Sequence, residues 1–154
     1  MGETFTEPLL LARLLPRLRE VPCTKPVYLK MPINVSWEQF SALLALADTH
    51  KIQGVIIGNL NKDYSYLKHP EDAPKEFRGG LSGTPTFKLS NELIKKTREQ
   101  YGKRFTIIGT GGISTPEDAM AKFEAGADLI QLISGMIFEG PGLMKKISER
   151  YAVR

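Results

Sequence analysis

Four stretches of the chain carry residues that could meet a ligand. Lys30 closes an apolar run, Pro26-Val27-Tyr28-Leu29-Lys30. A cation at the end of a buried strand is costly to desolvate unless it meets an anion or an acceptor. The alternative is a lysine whose amine reaches water past the sheet edge. Asn59, in Gly58-Asn59-Leu60-Asn61, offers a planar ligand both a donor and an acceptor, although asparagine is also an ordinary turn residue. Gly111-Gly112 follows a third apolar run, where adjacent glycines let the backbone approach a ligand and aim N–H groups at phosphate oxygens. Ser134-Gly135 ends a fourth run and adds a hydroxyl. Glycine motifs at the ends of two consecutive strands point together to a phosphate site, although each alone suits a plain turn. The pattern is neither the three spaced glycines of dinucleotide binding nor a P-loop. His50 and His69 have no carboxylate or thiol at metal-ligand spacing, and no serine or cysteine stands beside a base. A place for a phosphorylated cofactor without an evident acid–base catalyst suits chemistry carried by the cofactor itself.

These residues need a scaffold that brings strand ends together. The runs Pro26–Lys30, Gly54–Gly58, Phe105–Gly109 and Asp128–Ile133 are too short for helices. They are nearly continuous in apolar residues, as strands buried on both faces of a parallel sheet are. Helical patterns separate them. Ser36 and Gln39 have capping-box spacing ahead of Trp37, Phe40, Leu44 and Ala47. Ser90 is placed to cap a helix that turns Leu93, Ile94, Thr97 and Tyr101 inward and stops at Gly102. Thr115 caps a third helix, with Pro116 at its first position, Glu117 and Asp118 in its first turn and Gly126 past its end. A fourth spans about Leu143 to Tyr151. The alternation predicts an α/β fold with right-handed parallel crossovers, whose ligands bind beyond the carboxyl ends of the strands. Pro8 to Glu20 reads as a leading helix with a kink or break near Leu15, caused by Pro16. Its leucines suit core packing better than a membrane anchor. Residues 61–88 lack periodicity and read as a long strand-end loop, a lid or site-forming segment rather than a spacer.

Composition bounds the function classes. The chain has 154 residues, 42% apolar and 25% charged, with net charge +4. That is enough apolar content for one core and rules out a disordered chain. A single cysteine, Cys23, excludes a disulfide framework and a structural zinc site. No apolar run approaches the roughly 20 residues of a membrane span, and Met1-Gly2-Glu3-Thr4 does not open like a cleaved signal. The expectation is a soluble, cytoplasmic chain. The pI near 9.2 comes from basic residues scattered among acids, a solvated surface rather than a nucleic-acid site.

Arg78-Gly79-Gly80-Leu81-Ser82-Gly83-Thr84-Pro85 resembles the Gly-Gly-Leu-Ser-Gly-x-Pro signature of dihydroorotate dehydrogenases. Pro85 and Ser90 resemble the membrane-associated, quinone-linked class 2 enzymes more than the soluble class 1 enzymes. Ile107–Ile113, Gly126–Leu132 and Glu139-Gly140-Pro141-Gly142-Leu143 are similar to further motifs of that family, in order, over about residues 8 to 151. The resemblance implies an FMN-containing (β/α)8 TIM barrel that oxidises dihydroorotate to orotate in pyrimidine synthesis. Lys30 would approach the flavin near N1 and O2, with Gly58, Gly83 and Gly112 along the cofactor. Gly111, Ile133 and Ser134 would take its phosphate end, while Asn59 and Leu60 would face orotate.

Departures from the family pattern qualify this. The family's Thr-Asn-Thr is Gly58-Asn59-Leu60 here, its Lys-Ile-Ala-Pro-Asp is Lys30-Met31-Pro32-Ile33-Asn34, and the tyrosine before the phosphate serine is Ile133. Backbone donors do most of the work toward FMN, so the losses weigh on orotate, where a missing polar contact costs about 1–3 kcal/mol.

Four strand–helix units correspond to the C-terminal half of such a barrel, which takes about 250 residues. The expectation is therefore that residues 1–154 form a single, partial FMN-binding half-barrel, inactive alone, because the family's catalytic serine lies in a segment ahead of this one. The rival expectation is a phosphate- or FMN-binding half-barrel that self-associates through exposed sheet edges or pairs with a separate N-terminal half. A third is a flavin barrel for a different ring, suggested by Gly58 and Leu60.

Overall fold

The structure, a computed structural model, describes residues 6–73, 76 and 79–153. Pro74 and Arg78, as well as the Met1–Thr4 opening, lie outside the described residues. In chain order the elements are α1 (Pro8–Glu20), β1 (Tyr28–Met31), α2 (Trp37–Thr49), β2 (Gly54–Ile57), α3 (Phe87–Tyr101), β3 (Thr106–Thr110), α4 (Pro116–Ala125), β4 (Leu129–Gln131), α5 (Ser134–Glu139) and α6 (Gly142–Ala152). The strands form one sheet in the order β1-β2-β3-β4, every neighbouring pair parallel. A helix links each strand to the next, as parallel pairing requires.

Local chemistry sets most element ends. Thr115 and Asp118 exchange both bonds of a capping box, and Gly102 and Gly126 close α3 and α4. Ser36 Oγ accepts from the Gln39 N–H, but the Gln39 side chain donates to the Thr6 carbonyl rather than back to the cap, so that box is half made. α1 runs through Pro16 without a break, burying Leu11 and Leu15 while Leu9 and Leu18 stay exposed.

Three further expectations need correction. Ser90 does not cap α3, which starts three residues earlier at Phe87; Ser90 is fully buried inside it and donates to the Thr86 carbonyl at 2.8 Å. The loop after β2 ends two residues earlier than the 61–88 stretch suggests, because α3 already starts at Phe87. It contains single 3-10 turns at Tyr64–Tyr66, Pro70–Asp72 and Thr84–Thr86 and an antiparallel bridge between Asn61 and Leu81. The third concerns burial. Leu29, Val55 and Ile107 stand in register on one face, as do Met31 and Ile57. They join Phe40, Leu43, Leu44, Leu93 and Ile94 in the main core under α2 and α3. Lys30, Ile56, Ile108 and Leu129 form the in-register row on the opposite face. Ile56 and Ile108 are half-buried, and Lys30 and Leu129 are exposed. Helices cover one face alone among the described residues, so the strands are not buried on both.

Candidate ligand-binding site

The carboxyl ends of the strands converge on a cleft of about 340 Å³. Lys30, Gly58, Asn59, Leu60, Gly83, Gly111, Gly112, Ile133 and Ser134 all line it, joined by Ser82, Thr86 and Thr110. The nine residues expected at cofactor or substrate are therefore brought to one place. Lys30 is exposed and makes no ion pair among the described residues. Asn59 Oδ1 accepts from the adjacent Leu60 N–H at 2.9 Å.

Close packing of backbone segments shapes the cleft. Gly111 and Gly112 have φ of +95° and +73°, a left-handed pair that turns the chain sharply after β3. A Cβ on Gly111 would lie 2.3 Å from Thr86 Oγ1, and one on Gly112 would lie 2.5 Å from Phe87 Cβ. The loop after β3 is thus pressed onto the first turn of α3. Ser134 Oγ donates to Ser82 Oγ at 3.0 Å, tying the loop after β4 to the loop before α3. Thr86 Oγ1 donates to the Gly83 carbonyl at 2.7 Å.

Two groups that hold the site escape a reading of the sequence. Asn61 is fully buried and bonds three ways: its amide donates to the Pro85 carbonyl at 2.9 Å, and its Oδ1 accepts from Asn34 Nδ2 at 2.7 Å and from the Asp63 N–H at 2.9 Å. It pins both ends of the 61–85 loop, and the local Asn-x-Asp turn chemistry is its only sequence signal. Lys122 is also fully buried, beneath the start of α3. Its position four residues after Asp118, in a helix rich in charge, gave no sign of that.

The lining set suits an anionic, planar ligand. It offers one cation, several hydroxyls, an amide and glycine backbone, and no carboxylate. The cleft lies at the lower end of the range of small-molecule sites. Among the described residues, no group of three His, Cys, Asp or Glu side chains could hold a metal. No helix there is long and apolar enough to cross a membrane.

A parallel α/β sheet with its cleft at the strand ends defines the class of barrel-type and open-sheet proteins that bind ligands through strand-end loops. Within that class, the family profile of dihydroorotate dehydrogenase matches residues 3–152, and the chain belongs to that family. Among curated relatives, dihydroorotate dehydrogenase (quinone) of Brucella melitensis biotype 2 is 42% identical over 127 residues, covering 81% of this chain and 34% of that protein. The Brucella ovis enzyme of the same name gives the same identity and coverage. This chain thus spans about a third of the length of the curated relatives it matches. Among solved structures, dihydroorotate dehydrogenase of Eimeria tenella in complex with ferulenol superposes with a TM-score of 0.82 at 18% identity, over 96% of this chain and 45% of that one. The ligand-free form of the Eimeria enzyme gives 0.78 at 20% identity, over 97% and 46%. The fold is therefore that of part of a TIM barrel.

Proposed function

We propose that this chain forms the FMN-binding part of a dihydroorotate dehydrogenase-type flavoenzyme, with Lys30, Gly58, Gly83, Gly111, Gly112, Ile133 and Ser134 at the cofactor and Asn59 and Leu60 toward the substrate. The observation that carries this is the convergence of those residues on one carboxylate-free cleft at the strand ends. Bound FMN would supply the redox chemistry, accepting a hydride equivalent from a dihydropyrimidine ring. The chain's residues do the rest. Gly111, Gly112 and Ser134 present backbone N–H groups and a hydroxyl to the phosphate. Lys30 places a cation at the pyrimidine edge of the flavin, where charge accumulates on reduction. Asn59 offers an amide to the substrate ring. Residues 1–154 act as one partial half-barrel, with the loop after β2 forming one wall of the cleft.

The absorbance spectrum of the purified chain tests this, followed by titration with FMN. Near-stoichiometric flavin supports it; a colourless protein whose titration with FMN changes neither fluorescence nor absorbance overturns it. Among the described residues no carboxylate or imidazole lines the cleft, so dihydroorotate-dependent quinone reduction is expected to be absent from the chain alone.

The uncovered row Lys30–Ile56–Ile108–Leu129 favours a second reading: a flavin or phosphate half-barrel that works by pairing with a second copy or with a separate N-terminal half. Sedimentation of the purified chain tests self-pairing, and a strict monomer at high concentration counts against it.

A further inference from the structure

Lys122 is the least expected charge in the molecule. Fully buried on α4, its Nζ donates to Ser90 Oγ at 2.5 Å and to Asn91 Oδ1 at 2.7 Å, and it stands 4.9 Å from the centre of the Phe87 ring. It forms no salt bridge among the described residues. An ammonium buried without an anion is costly, and a methionine of similar length would fill the same space without that cost.

Its neighbours are those on which the glycine loop rests. Ser90 Oγ, which accepts from Lys122, donates to the Thr86 carbonyl at 2.8 Å. A Cβ on Gly111 would meet both Thr86 Oγ1, at 2.3 Å, and Ser90 Oγ, at 3.7 Å; one on Gly112 would meet Phe87. The amine therefore lies one layer of side chains behind the backbone that lines the cleft.

We propose that Lys122 is the buried counter-charge of the phosphate subsite: from beneath the loop it fixes Ser90 and Thr86, and it takes a proton from solvent when a phosphate dianion binds above. The proposal rests on the flavin-phosphate reading and names the group that makes that subsite selective for phosphate. Burial pushes the amine down to about 7, opposed in part by Asp118 one turn earlier on α4. α3 presents Phe87, Ser90 and Asn91 to the amine, and β3 presents Gly109; none of these titrates. Nearby charges are engaged elsewhere, Arg150 of α6 with Glu117 and Asp128 ahead of β4 with Arg98 and Lys103.

The sign follows. Below about pH 7 the amine is charged in free and bound protein alike, and affinity is full once the phosphate has lost its second proton near pH 6. Above that, the free amine is neutral and binding must draw a proton, so affinity falls by up to about tenfold per pH unit. A buried charge with a purely structural role would affect flavins with and without phosphate equally.

The test is titration of the 154-residue chain with FMN and with riboflavin, which lacks the phosphate, between about pH 6 and about pH 9. The wild-type chain is expected to prefer FMN, by a margin that shrinks as pH rises above about 7. Lys122→Met should cut that margin about tenfold or more and flatten its pH dependence; the margin is a ratio of FMN to riboflavin affinity, so any loss common to both flavins cancels. Lys122→Gln keeps donors for Ser90 and Asn91 without the charge, and should give the same result if the methionine variant folds poorly. A wild-type margin that is flat above pH 7, or one that survives in both variants, overturns the proposal while leaving flavin binding intact. A wild-type chain that binds neither flavin overturns the flavin reading and this proposal together.

Discussion

The two ends of the sheet solve opposite problems. At the amino end, charges are spent on one another. Asp128 accepts from the Ile107 N–H at 2.9 Å, from Arg98 Nη2 at 2.6 Å and from Lys103 Nζ at 2.9 Å, while Arg98 also holds the Gly126 carbonyl. Arg104 joins Asp48 at 2.5 Å to the Ile52 carbonyl at 3.0 Å. These contacts tie the helix ends to the strands that follow them. At the carboxyl end, Lys30 has no anionic partner among the described residues, and the lining groups are hydroxyls, an amide and glycine backbone. At the amino end ion pairs bridge helix ends to strands, whereas at the carboxyl end the lining side chains bond only within the strand-end loops and Lys30 is left without an ion pair among the described residues.

The contrast can be broken first at Gly112. Alanine there meets Phe87 Cβ at 2.5 Å and Cα at 2.9 Å and must adopt φ near +73°. Gly112→Ala is expected to cost about 3 kcal/mol or more in denaturant unfolding. Gly140→Ala, with φ +75° and nothing within 4 Å, should cost only about 1 kcal/mol. Equal losses would show that close packing does not hold the glycine loop.

Asp128→Asn is next, at about 1–3 kcal/mol, with little effect on flavin binding. Burial works against ionisation of Asp128, but the Ile107 N–H, Lys103 and Arg98 together hold its carboxyl below the usual range. Its contribution is therefore present above the ordinary carboxylate value and fades as pH falls from about 4 downward. The wild-type chain should lose its advantage over the asparagine variant in melts across that range. A constant difference would count against the linkage.

Smaller again, Thr115→Ala removes the cap that anchors α4 behind the glycine loop and should cost about 1 kcal/mol by thermal melting. Smallest in stability is Lys30→Met, expected within about 0.5 kcal/mol of wild type because the side chain is exposed. Its effect should appear instead in the reduction potential of bound flavin, which should fall. A stability loss as large as that of Asp128→Asn would erase the distinction between the two ends.

Much of this was legible in the chain. The Thr115 cap, the stops at Gly102 and Gly126 and the four apolar runs depend on residues within a few positions of one another, and all appear in the structure; the capping box itself forms at Thr115–Asp118 rather than at Ser36–Gln39. The errors share a cause. Ser90 has a capping side chain, but the packing of Thr86 against the glycine loop and the reach of Lys122 from 32 residues away turn its hydroxyl into an internal bridge. Ile56 and Ile108 have the composition of two-sided burial, yet whether a strand face is covered depends on what packs there, not on the strand.

The sequence by itself determined the order of strands and helices, where most of them end, and which residues gather at the strand ends, because period, caps and glycines act locally. Only the tertiary structure decided that helices cover one face of the sheet, that Asn61 latches the long loop, and that a lysine lies buried beneath the glycine turn. Those outcomes depend on desolvation and on partners distant in sequence, and burial is a property of the packed chain rather than of any residue in it.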